Sequence, residues 1–128
     1  MLKHQLIYSK ISEVLGRAGH GSKILIADAN YLASSALGPK AELVSFNLSP
    51  VISSCTQVFA TLVSAISSEA SDLMMYQTTG PYGLTEEPSV WGDYRKICRD
   101  ASPDLDFGTI ECFAFYKTAG QPDQVLRI

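Results

Sequence analysis

Gly19-His20-Gly21 sets one of the chain's two histidines between two glycines, and Asp28 follows eight residues later. An imidazole gains and loses its proton near neutral pH, so a histidine on a turn that a ligand can approach closely is a candidate general acid/base. A turn histidine with no chemistry is the plain alternative. Asp28 and Asn30 are candidate binding groups, and equally a capping or turn segment, because both side chains bond neighbouring backbone. Tyr116 ends an apolar run, where its hydroxyl needs a partner or an opening to water. Met74 and Trp91 read first as packing residues, since methionine fills irregular gaps and a tryptophan three residues from Tyr94 on a helix usually faces a core. Gly16, Gly19 and Gly21 are not a dinucleotide fingerprint, which must follow a strand and open a helix.

The elements that position these residues follow from spacing. Ile11, Val14, Leu15 and Ala18 recur three or four apart and precede Gly19, which predicts a short amphipathic helix closed by a glycine. Lys23 to Asp28 is an apolar run ending in an acid, a strand buried on both faces that delivers a carboxylate to its C-terminal edge, where open α/β sheets bind ligands. A second strand is expected over Glu42 to Phe46, and Ser49-Pro50 marks the start of a helix reaching about Ile66. Asp72 to Tyr76 reads as a third strand, Gly80-Pro81-Tyr82-Gly83 as a loop, and Val90 to Arg99 as a helix. Ile110 to Tyr116 alternates and is rich in aromatic residues, as a strand should be, and Gln124 to Ile128 looks like one more strand. Strands alternating with helices predict an α/β fold, a single domain with a mainly parallel central sheet and helices on its faces.

At 128 residues, 46% of them apolar, the chain has the size and composition of one domain with one core. A formal charge of -3 without a Lys/Arg cluster argues against a nucleic-acid partner. Cys55, Cys98 and Cys112 are odd in number, widely spaced and without a nearby histidine, so neither a disulfide framework nor a metal site is indicated, and a reducing cytoplasm fits best. No apolar run approaches the ~18 residues of a membrane span, and the first residues lack the long apolar stretch of a signal peptide.

Taken together, Met1-Leu2-Lys3, Gly19-His20-Gly21, Ile26-Ala27-Asp28-Ala29-Asn30, Met74-Met75, Val90-Trp91 with Tyr94, and Phe113-Ala114-Phe115-Tyr116 resemble the ribose pyranase and fucose mutarotase family across almost the whole chain. The Trp91 helix and the phenylalanine-rich segment favour the fucose branch. The resemblance implies a cofactor-independent isomerase that interconverts anomers of a free monosaccharide, L-fucose or a related sugar, and assembles into a cyclic homo-oligomer, a pentamer or decamer. It implies that His20 exchanges a proton with the ring or anomeric oxygen, that Asp28 holds sugar hydroxyls or orients the imidazole, and that Tyr116 is the second proton-handling or binding group. Asn30, Met74 and Trp91 would contact the substrate.

Three departures bear on that expectation. Cys112 stands where the fucose branch has an arginine, so a forked cationic donor is replaced by a thiol. Ser64-Ala65-Ile66-Ser67 lacks the family's aspartate, and Asp72, on the following strand, is a poor substitute. The family also continues, past the place where Ile128 falls, into a Thr-Gly-Glu turn and a strand bearing a tyrosine and an asparagine that help complete the pocket, in part across a subunit interface. The expectation is therefore a shortened or divergent member with an open sheet edge. The rival to an active mutarotase is an impaired or non-catalytic sugar-binding, oligomer-forming relative.

Overall fold

The computed structural model describes residues 5–28, 30–31, 37–46 and 53–128, with the backbone alone at residue 127. The first helix, α1, spans Ser9–Arg17 and buries Ile11 and Val14, the three-residue step that puts both on one face. It ends in extended backbone at Ala18, not in a left-handed glycine cap. The positive φ, 77°, belongs to Gly21, so the glycine that permits the reversal lies on the far side of His20. Ser22 tightens the turn by accepting from the Gly19 N–H at 3.1 Å.

Strand β1, Lys23–Leu25, is shorter than the sequence suggests, but the pairing runs on as the Ala27 N–H donates to the Ile128 carbonyl at 2.8 Å. Strand β2 is limited to Glu42–Leu43. Helix α2, Cys55–Val63, starts at a reciprocal cap in which Ser54 Oγ accepts from the Gln57 N–H at 3.2 Å and Gln57 Oε1 accepts from the Ser54 N–H at 2.9 Å. The Ser49-Pro50 start expected from sequence lies outside the described residues. Strand β3, Ala70–Met74, begins two residues earlier than expected, and helix α3 spans Val90–Ala101.

The largest correction concerns Ile110 to Tyr116, which is not a strand. Strand β4 is Asp106–Ile110, and Cys112–Ala119 is a helix, α4. Its N-cap is Glu111, whose carboxylate accepts from the Phe113 and Ala114 N–H groups at 2.9 and 3.1 Å, satisfying donors that a strand would have paired elsewhere. Burial along the segment then follows the helical period: Cys112, Phe115 and Thr118 are half-buried, Ala119 is buried, and Phe113 is exposed. Tyr116 therefore projects from a helix rather than from a strand end.

Strand β5, Gln124–Arg127, closes the fold. Among the described residues all pairings are parallel, and they divide into two sheets, β1-β5-β2 and β3-β4. The central strand β5 carries Leu126 at 0% exposure, packed in the cluster of Leu6, Ile11, Val14, Val44 and Leu62. The second sheet rests on Trp91, Cys98 and Leu105. There Tyr76 meets the Trp91 ring edge-on, and the Arg95 guanidinium lies 5.9 Å from the centre of the Trp91 ring and 5.4 Å from that of Phe107. Gly108 pairs with Asp72 in register, and a Cβ there would fall 2.5 Å from Asp72 Oδ1, so a larger residue would make the carboxylate swing aside.

Candidate functional site

His20 and Asp28 lie at opposite ends of β1. The chain rises about 3.3 Å per residue in a strand, so Lys23 to Ala27 alone separates the two ends by roughly 13 Å. That is longer than a monosaccharide ring. The two backbone positions are that far apart, and the contacts made at each end divide the remaining candidates.

At the end where the strands begin, His20 Nδ1 lies 2.7 Å from Glu69 Oε1. Glu69 immediately precedes β3, as His20 precedes β1 after a short turn, so the two sheets bring the pair together across 49 residues of chain. An ionised carboxylate only accepts, so Nδ1 carries a proton and donates it to Glu69; in the neutral ring Nε2 is then the nitrogen with the lone pair. Both side chains are largely exposed, 87% and 70%, and an ion pair so open to water adds little stability. What it supplies is orientation: a basic ring nitrogen held outward on a glycine-flanked turn.

At the end where the strands finish, Asp28 Oδ1 accepts from the Asn30 N–H at 3.0 Å, the turn that the Asp-Ala-Asn spacing allows. The Tyr31 N–H donates to the Asp28 carbonyl at 3.2 Å, and the Tyr31 ring lies 5.5 Å from the Tyr116 ring at a tilt of 32°. Asp28, Asn30 and Tyr116 thus form one cluster with Tyr31 as its link. Met74 ends β3 and is partly exposed, whereas Trp91 is 7% exposed and committed to the core beneath β3 and β4.

Between the two sheets lies a cavity of about 460 Å³, within the size range of roughly 300–1,000 Å³ usual for small-molecule pockets. Its walls come from β1, α2, β3 and α4, and Gly19, Gly21 and Glu69 stand among its lining residues beside His20. Gln124, 1% exposed, also lines it. Its Oε1 accepts from the Gly38 N–H at 3.0 Å, which fixes which end of the amide is oxygen, and its Nε2 has no hydrogen-bond partner. A buried donor left unpaired costs about 1–3 kcal/mol, so its persistence calls for an explanation. Tyr94 lines the same cavity; burial pushes its phenol above the ordinary value, nearby Cys55 adds to the rise, and a hydrogen bond with Thr56 opposes it.

Sequence reasoning missed Glu69 and Gln124. A second acid was sought in residues 64–67 and at Asp72, and the acid at the imidazole is Glu69, five residues beyond the start of that window. Its signal was available in principle, as a carboxylate directly before a strand that starts at the same sheet edge as His20. Gln124 left no signal, because a glutamine opening a terminal strand is ordinarily solvated. No group of three or more metal-ligating side chains occurs among the described residues, and no helix among them is long and apolar enough to cross a membrane.

Comparison with known proteins places the chain. The sequence profile described as the RbsD / FucU transport protein family matches residues 1–127. Neither the curated proteins nor the solved structures returned a match.

Proposed function

The chain belongs to the RbsD / FucU transport protein family, and from that membership we propose that it interconverts the anomers of a free monosaccharide, L-fucose or a related sugar, by acid/base ring opening and reclosure. The observation that carries the proposal is the 2.7 Å contact between His20 Nδ1 and Glu69 Oε1, which leaves Nε2 as a base facing solvent. In the proposed reaction Nε2 takes the proton of the anomeric hydroxyl while the ring oxygen receives one from the Tyr116 hydroxyl or from water, which regains it when the ring closes. The bond between the anomeric carbon and the ring oxygen breaks, and the open aldehyde turns about its adjacent carbon bond. The reverse transfers close the ring on the other face. Mutarotation already proceeds in water, so positioned proton donors and acceptors suffice for a useful acceleration.

The separation of His20 from Asp28 bears on where the second set of groups comes from. We assign Asp28, Asn30 and Tyr116 to the same sugar from a second copy of the chain, in a cyclic homo-oligomer whose interface covers one end of each protomer. Exposed Phe113 at 80% and Tyr116 at 37%, three residues apart on α4, are apolar surface that such an interface would cover. The same separation supports a second reading, in which the chain binds sugar without turning it over. Saturation-transfer NMR on equilibrated fucose, ribose and galactose, with His20→Ala as control, decides between them. Faster exchange between anomers, lost in the control, is expected; unaccelerated exchange for every sugar leaves only the binding reading.

A further inference from the structure

We infer that the cavity between the two sheets is a pocket for the non-reacting end of a neutral monosaccharide, with Gln124 Nε2 donating a hydrogen bond to one of its oxygen atoms. The inference rests on the proposed sugar chemistry at His20 and adds to it where the body of the sugar sits and what selects it. Gln124 opens β5 and pairs in register with Lys23, three residues along from His20, so its backbone starts at the same end of the sheet as the histidine turn. Gly19 and Gly21, which flank His20, and Glu69, whose carboxylate holds its ring, all line the cavity, although His20 itself does not.

The chemistry of the walls restricts the occupant. Gln124 is 1% exposed, its Oε1 already accepts from Gly38, and its Nε2 lacks a partner among the described residues, so the amide has its NH2 group left to donate. A ligand completing it brings an oxygen lone pair, which every sugar hydroxyl or ring oxygen has. Ile24, Leu62, Val63 and Phe115 supply apolar wall suited to the C–H face of a pyranose. The ionisable lining residues with a fixed charge are Lys23, Glu69 and Asp72, and Lys23 is already paired with Asp123 at 2.5 Å. With two carboxylates and no free cation among those residues, a phosphorylated sugar is repelled, so the pocket is built for the unphosphorylated form.

The test uses the side-chain NH2 signals of Gln124 in nitrogen-15 NMR spectra of the whole protein, assigned by their loss in Gln124→Glu. That variant keeps an acceptor for Gly38 and removes the donor. Titration with fucose, ribose or galactose is expected to move the pair saturably for at least one sugar, while galactose 6-phosphate leaves it in place. Val63→Phe adds bulk to the cavity wall while leaving His20, Glu69 and Gln124 unsubstituted, and is expected to weaken that sugar about tenfold or more, as is Gln124→Glu, the scale of one lost hydrogen bond. His20→Ala is expected to retain binding. Accelerated anomer exchange with the Gln124 signals unmoved overturns the pocket and leaves the mutarotase reading standing. Movement of those signals without accelerated exchange supports the pocket and overturns the activity. Neither effect overturns both, and it assigns the orphaned donor to trapped water. Should Val63→Phe not fold, the shift of the Gln124 pair in the unsubstituted protein still decides.

Discussion

Where the parallel strands begin, His20, Glu69 and Gln124 gather an imidazole–carboxylate pair and a buried amide donor; where they finish, Asp28, Asn30 and Tyr116 are tied into a turn and a ring contact. The first group is assembled across long loops by the meeting of two sheets. The second is largely local, with Tyr116 brought in by α4. The difference teaches that residues read as one site from their order along a chain can occupy two ends of one strand. The proposed function joins the two ends through a second copy of the chain.

The strongest way to break that comparison is to disable each end separately. His20→Ala is expected to lower accelerated anomer exchange about 10²–10⁴-fold, the usual contribution of a positioned acid/base, in saturation-transfer measurements. If Asp28→Ala is also inactive, a reassembled equal mixture of the two variants should recover about a quarter of the activity, the share of interfaces that pair two intact ends. No recovery would return both residues to one chain's site and sink the two-copy assignment.

The two ends share a scaffold, and a core substitution tests that. Leu126→Ala, at the fully buried centre of β5, should lower stability by about 2–5 kcal/mol in urea unfolding and loosen both ends together. A loss confined to one end would show that the other does not depend on β5.

Glu69→Gln sharpens the first end alone. It keeps an oxygen for the Nδ1 proton but removes the negative charge, and should slow exchange about tenfold while leaving sugar binding unchanged. Equal rates in the variant and the parent protein would reduce the 2.7 Å contact to an incidental surface pair.

The smallest expected effect concerns acid. A hydrogen bond from Lys10, with the charges of Lys10 and Arg17, holds the Glu42 carboxyl below its ordinary 4.5, and Arg95 does the same for Glu87. A folded-state value below the unfolded one gives stability that is present above about pH 4.5 and is lost as the pH falls through the folded value. Glu42→Gln, which cannot be protonated, should therefore show a slightly shallower loss of stability between neutral pH and acid in thermal melts. The effect is small because the ion pairs are exposed. A slope equal to the parent's would remove Glu42 from the acid response.

Helix α1 was legible in sequence because Ile11 and Val14 stand one helical step apart, and α3 because Val90 to Arg99 keeps the same rhythm. The Phe-Ala-Phe-Tyr segment was misread because alternation over so few residues fits either period. The deciding group was Glu111, a cap whose effect exceeds a strand preference that depends on neighbours. Of the site, His20 and the Asp28-Asn30 turn were readable from local chemistry, and the resemblance supplied the sugar.

By itself, then, the sequence determined what is set within a few residues, the helical period of α1 and α3 and the Gly19-His20-Gly21 turn, and, from motifs along its whole length, the family to which the chain belongs. Only the tertiary structure decided which acid meets His20, which end of β1 each candidate occupies and that the Gln124 amide is buried with a donor to spare. The reason is the range of the forces. Backbone hydrogen bonding and capping act over three or four residues and leave a trace in the sequence, whereas a contact across 49 residues depends on how two sheets pack, which no local pattern encodes.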